Sequence, residues 1–79
     1  MPMLRMFGPA REAAGTAKTE IAGRTAGEVA DAACRRFGPE LAAVVAGSRL
    51  WVNGEPASRA TTVGEHDEVA VIPPVSGGC

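Results

Sequence analysis

The chain is short of cysteine, of bulky apolar side chains and of net charge, and each shortage removes a class of protein. Two cysteines, Cys34 and Cys79, cannot by themselves supply a four-thiolate zinc or iron–sulfur site. Leu, Ile, Val and Phe together make up under a fifth of the 79 residues. So low a fraction signals disorder only when the net charge is high. The net charge is −1, so a compact fold with a small core is expected. Eight basic residues against nine acidic ones, with a pI of about 5.7, leave no positive surplus for phosphate binding. That argues against nucleic acid as the main partner. No run approaches the roughly 18 apolar residues of a membrane span. The first seven residues are too short for a secretion leader and carry Arg5. A cytoplasmic setting is therefore expected, where structural disulfides are rare.

What is present reads as one α+β domain in the order strand, strand, helix, strand, strand, strand, with the helix packed across a sheet. Residues 3–7 form a strand that puts Leu4 and Met6 on one face and Arg5 and Phe7 on the other. Gly8-Pro9 ends it, residues 10–14 allow one helical turn, and residues 16–21 form a second strand that pairs back on the first. Thr25-Ala26-Gly27-Glu28 has the form of a capping box, and Ala26, Val29, Ala30, Ala33, Cys34 and Phe37 follow on one helical face. Gly38-Pro39 stops this main helix, and Leu41, Val44 and Val45 suggest one more short turn. Leu50-Trp51-Val52 runs into Asn53-Gly54, a type I′ hairpin signal, and Pro56 confines the returning strand to an edge. Residues 61–63 are extended, Gly64-Glu65-His66-Asp67 is a polar turn, and residues 68–72 form the last strand, expected at the centre of the sheet.

Catalytic constellations are missing from this pattern. His66, the single histidine, lies beside Asp67 in a polar turn, and Cys34 falls on the apolar helix face as a small packing residue. No metal-ligand spacing and no phosphate loop occur, so neither a metal nor a cofactor bound by this chain is expected. The end of the chain is different: Pro73-Pro74-Val75 stiffens it, and Gly77-Gly78 then slims it. A flexible terminus is the plain explanation. A paired glycine also fits a narrow channel, where a backbone carboxylate can be brought to a nucleotide phosphate.

Phe7-Gly8-Pro9-Ala10-Arg11-Glu12 with Gly15, Val52-Asn53-Gly54, Asp67-Glu68-Val69-Ala70 and Pro73-Pro74-Val75-Ser76-Gly77-Gly78 together resemble small subunits of molybdopterin synthase. The match is collinear over essentially the whole chain, and its closing segment is the specific part. The sequence thus resembles a MoaD/ThiS-type sulfur carrier of the ubiquitin-like β-grasp superfamily. The resemblance implies a mixed sheet of about five strands with one main helix packed across it. On that basis residues 1–72 are the β-grasp domain and residues 73–79 a flexible tail. It implies a carrier rather than an enzyme. A MoeB/ThiF-like adenylyltransferase, using ATP and Mg²⁺ of its own, would adenylate the terminal glycine. A sulfur donor would convert the adenylate to a thiocarboxylate, and a sulfur-accepting synthase would consume it. Molybdopterin or a sulfur-containing natural product would be the end of the route. Gly78 would carry the sulfur, and Gly77 would give access.

The departure from that pattern is Cys79, which leaves the Gly78 carboxyl in a peptide bond. Processing between Gly78 and Cys79, for instance by a JAMM-type protease, is the leading expectation. An engineered terminus and a thiol used for crosslinking or redox work are the alternatives for the same residue. Phe7 and Ile72, beside the departing segment of Pro73, Pro74 and Val75, are expected to form an apolar docking patch, with Arg11 pairing to an acidic partner residue. Trp51 fits the patch or the core equally. A ubiquitin-like protein modifier and a plain β-grasp interaction module remain as alternative functions.

Overall fold

The computed structural model describes residues 1–73. Its elements are β1 (Met3–Met6), α1 (Gly8–Ala14), β2 (Lys18–Glu20), α2 (Ala26–Phe37), α3 (Pro39–Ala46), β3 (Arg49–Val52), β4 (Glu55–Ala57) and β5 (Glu68–Ile72). The five strands form one sheet in the order β2-β1-β5-β3-β4. β1 and β5 run parallel and the other neighbours antiparallel, so the sheet is mixed, with β5 at its centre as its apolar run implies.

Strand alternation sends Leu4 and Met6 of β1, Leu50 of β3, and Val69 and Val71 of β5 to one face. There they are buried with Val29, Ala30 and Ala33 of α2, Leu41 of α3 and Ala10 of α1. Each fully buried Leu or Val contributes about 1.5–3 kcal/mol relative to an exposed one. Alanines on the helices let α2 and α3 approach closely, which suits a chain with so few large apolar side chains.

The capping box at α2 forms with its return bond one residue early, on Arg24 rather than on the N-cap Thr25. Thr25 Oγ1 accepts from the Glu28 amide at 3.1 Å, and Glu28 Oε1 accepts from the Arg24 amide at 3.0 Å. The remaining first-turn amides are taken by the segment after β4: Ala26 N–H donates to Thr61 O and Gly27 N–H to Arg59 O, both at 2.9 Å. A Cβ on Gly27 would lie 2.9 Å from both Arg59 Cβ and Arg59 O, so only glycine lets this segment close on the helix.

Several expectations need correction. Among the described residues α1 and α3 are short helices beside the main helix α2, where single turns are expected. Gly8-Pro9 starts α1 rather than merely ending β1: Gly8 turns the chain at φ +53°, and Pro9 suits a first turn whose amides have no helical partner. Pro39 starts the two-turn α3 for the same reason. β1 ends at Met6, and Phe7 is the N-cap of α1. β2 spans only Lys18–Glu20. Residues 61–63 are extended as read, and Thr62 makes a single antiparallel bridge to Thr25. Cys34 is half-buried rather than buried. Burial first, and then the Asp31 carboxylate, push its thiol above the ordinary range, which keeps it protonated at neutral pH.

Candidate functional site

The parallel pairing of β1 with β5 brings two ends of the chain together. In that register Met6 lies beside Val71, so Phe7 and Ile72 leave the sheet side by side, followed by Gly8 and Pro73. Alternation turns Phe7 and Ile72 away from the helices. Phe7 is 40% exposed and Ile72 is half-buried. Pro73 packs toward Gly8, its Cγ 3.6 Å from where a Cβ on Gly8 would stand.

The same open face continues across the sheet through Ala70 to Trp51, its register partner on β3, and through Ile72 to Arg49. Trp51 is half-buried and lies outside the core, so its place is the open face. A shallow hollow of about 260 Å³ adjoins it, walled by Arg49, Pro56 and Ser58. Arg5 holds its guanidinium 5.7 Å from the centre of the Phe7 ring and 3.7 Å from Glu68. Both ion-pair side chains are largely solvated, so this contact orients more than it stabilises. Arg11 is exposed on α1, where its carbonyl accepts from the Gly15 amide. Gly77, Gly78 and Cys79, together with Pro74 and Val75, lie outside the described residues.

Two motifs of the resemblance turn out to be one structural knot at the opposite end of the sheet. Asn53, at φ 52°, and Gly54, at φ 82°, make the tight turn between β3 and β4. Asn53 Nδ2 donates to Asp67 Oδ1 at 2.9 Å, and Asn53 Oδ1 accepts from the Glu68 amide at 2.9 Å. Asp67 Oδ2 accepts from Gly64 N–H at 2.7 Å, and Asp67 O accepts from Met3 N–H at 3.0 Å. The Asn53 bond foremost, and then the Gly64 bond, hold the Asp67 carboxyl below the usual range. The sign follows: a depressed folded pKa stabilises above the unfolded value and is lost as pH falls through the folded one. Thermal unfolding across pH should therefore show Asp67→Asn less stable than the parent at neutral pH. The difference should shrink below about pH 4. A difference that stays constant down to strong acid would contradict this.

His66 sits exposed in the turn that this knot closes. Among the described residues no three His, Cys, Asp or Glu side chains converge as metal ligands would. Among the described residues no helix is long and apolar enough to cross a membrane.

The family model of the ThiS family matches residues 4–78. The chain belongs to the ThiS family.

Solved structures agree on the fold. Small archaeal modifier protein 1 (SAMP1) of Haloferax volcanii is similar at 29% identity and TM-score 0.78, covering 96% of this chain and 97% of that one. SAMP1 of Methanosarcina acetivorans matches at 24% identity and TM-score 0.86, over 96% and 94%. The putative molybdopterin converting factor subunit 1 of Pyrococcus furiosus matches at 24% and TM-score 0.80, over 92% and 95%. Comparison with curated proteins gave no match. The fold of this ThiS-family protein is thus a ubiquitin-like β-grasp, as the resemblance implied.

Proposed function

We propose that this protein is a sulfur carrier whose chemistry takes place at the Gly78 carboxylate. The observation that carries the reading is the extent of the family match, which runs through Gly77 and Gly78 and stops before Cys79. Hydrolysis of the Gly78–Cys79 bond by a partner protease, with the JAMM class the leading candidate, frees that carboxylate. An oxygen of the carboxylate then attacks the α-phosphate of ATP, and pyrophosphate leaves. Hydrosulfide released by the sulfur donor attacks the acyl carbon, AMP leaves, and loss of the S–H proton gives the thiocarboxylate for an accepting synthase. ATP and Mg²⁺ belong to the MoeB/ThiF-like activating enzyme, and this chain acts as its substrate. Molybdopterin or a sulfur-containing natural product is the destination of the sulfur.

The tail root supplies the docking surface. Phe7, Ile72 and Trp51 offer apolar area on the helix-free face, Pro73 begins the segment leading to Gly78, and Arg11 offers a charge for an acidic partner residue. Phe7→Ala and Ile72→Ala should each weaken binding to the activating enzyme about tenfold while the melting temperature changes little. Titration calorimetry showing parental affinity for both variants would remove the patch from the account. The function itself is tested by incubating a chain ending at Gly78 with activating enzyme, ATP, Mg²⁺ and sulfur donor. An oxygen-to-sulfur mass exchange at the terminus supports it, and unchanged mass in an otherwise active mixture contradicts it.

The likeness to SAMP1 of Haloferax volcanii favours a second reading, that of a protein modifier. It uses the same adenylate but delivers Gly78 to lysine amines, so Gly-Gly remnants on lysines of other proteins distinguish it.

A further inference from the structure

The two edges of the sheet are not equivalent, and the difference is set by which backbone groups face outward. Along β4, Val52 and Glu55 flank the two-residue turn and pair with each other, so Trp51 and Pro56 form the next, non-hydrogen-bonded pair. Pro56 therefore faces its backbone outward, and it has no N–H to give. That edge is closed to a further strand.

β2 is different. Met6 N–H donates to Ala17 O, and Ile21 N–H donates to Pro2 O, which makes Leu4 and Thr19 the hydrogen-bonded pair between them. Lys18 and Glu20 consequently aim their amides and carbonyls away from the sheet. The contacts that cover them are long. Thr16 Oγ1 donates to Lys18 O at 3.1 Å and accepts from Lys18 N–H at 3.4 Å, while Arg36 Nη1 reaches Glu20 O only at 3.5 Å. Contacts of this length are weak and readily exchanged.

The sequence of this rim is complementary to itself. If two copies of β2 pair antiparallel about a two-fold axis at Thr19, Lys18 of one copy stands opposite Glu20 of the other, and the reverse. These are also the positions whose N–H and C=O groups point outward, so both pairs are hydrogen-bonded pairs, giving four backbone bonds in all. Lys18 and Glu20 are exposed and project from the same face, so each cross-strand pair joins opposite charges.

We propose that the β2 rim is a docking edge for a second copy of this chain, joining two five-stranded sheets across Thr19, with Thr16 and Arg36 as its guards in the monomer. Three residues per copy bury far less than a stable interface needs, so the dimer forms in the upper micromolar to millimolar range. The inference is independent of the chemistry proposed at Gly78.

Amide NMR and sedimentation of the full chain over a dilution series test it. The parent is expected to self-associate with shifts centred on the amides of Lys18 and Glu20, and Thr16→Ala to associate more tightly. Lys18→Glu alone and Glu20→Lys alone should each weaken association about tenfold, because like charges then face each other. The double variant K18E/E20K restores opposite charges on every pair and should recover parental affinity. Lys18 and Glu20 are exposed and Thr16 is half-buried at the rim, so melting temperatures check that each variant folds. A parent that stays monomeric to millimolar concentration overturns the proposal. So does a double variant no tighter than the singles, or protection of the rim seen only when another protein is added.

Discussion

With an activating enzyme, ATP and Mg²⁺, a chain ending at Gly78 is expected to support pyrophosphate exchange, and a chain retaining Cys79 to support none. The contrast should be large, because the peptide form of Gly78 has no carboxylate oxygen to act as nucleophile, and the free carboxylate of Cys79 sits one residue beyond the position Gly78 would present. The rest of the docking surface is identical in the two chains, so both should bind the enzyme with similar affinity. That separates binding from chemistry: the retained residue should act as a competitive inhibitor of the processed form. Equal exchange by both chains would show that the reaction does not pass through the Gly78 carboxylate.

The second large effect concerns the sheet on which the tail root depends. Leu4 is fully buried between Thr19 of β2 and Val69 of β5. Truncation of such a residue to alanine costs about 2–5 kcal/mol through lost transfer energy and the cavity left behind. A domain of 79 residues has only about 4–12 kcal/mol in total. Leu4→Ala should therefore lower the melting temperature by about 10 °C or more and leave part of the population unfolded near physiological temperature. Circular dichroism melting shows this directly, and a fall of under about 3 °C would mean that the core is organised differently. Because Phe7 follows directly on β1, the same variant should also weaken partner binding at temperatures where it begins to unfold.

Much of this architecture is written locally. Thr25 and Glu28 announce α2, Asn53-Gly54 announces its turn, and Val69 and Val71 mark the central strand, because each signal depends on neighbours in sequence. α1 and α3 were harder to read. Gly8-Pro9 and Gly38-Pro39 look like stops, yet a proline in the first helical turn forfeits no helical hydrogen bond, so the same residues end one element and begin the next. Gly27 lies inside the capping box, where nothing local requires glycine. Its real constraint, the close approach of Arg59, comes from a segment far along the chain. Cys34 keeps the helical spacing of a core residue but stands at the margin of the packed face, near the Asp31–Arg59 ion pair, and stays half-buried.

The site divides in the same way. Alternation alone puts Phe7 and Ile72 on the face opposite the core. Their adjacency follows from the parallel pairing of the first and last strands, which no local pattern encodes. Trp51 fitted core or surface by sequence, and its register opposite Ala70 decides for the open face. Asn53 and Asp67, quoted for the family resemblance, hold two turns and the start of β1 together, so their place in the motif is accounted for by folding.

Sulfur carried at Gly78 would change the mass of the protein in the cell. Intact-mass spectrometry of the protein purified from cells that make it naturally, under conditions that induce its pathway, tests this most directly. A population that has lost Cys79 and exchanged one oxygen for sulfur at Gly78, sensitive to thiocarboxylate-directed reagents, is expected. A population that uniformly retains the Gly78–Cys79 bond, with no terminal sulfur under any such condition, would contradict it.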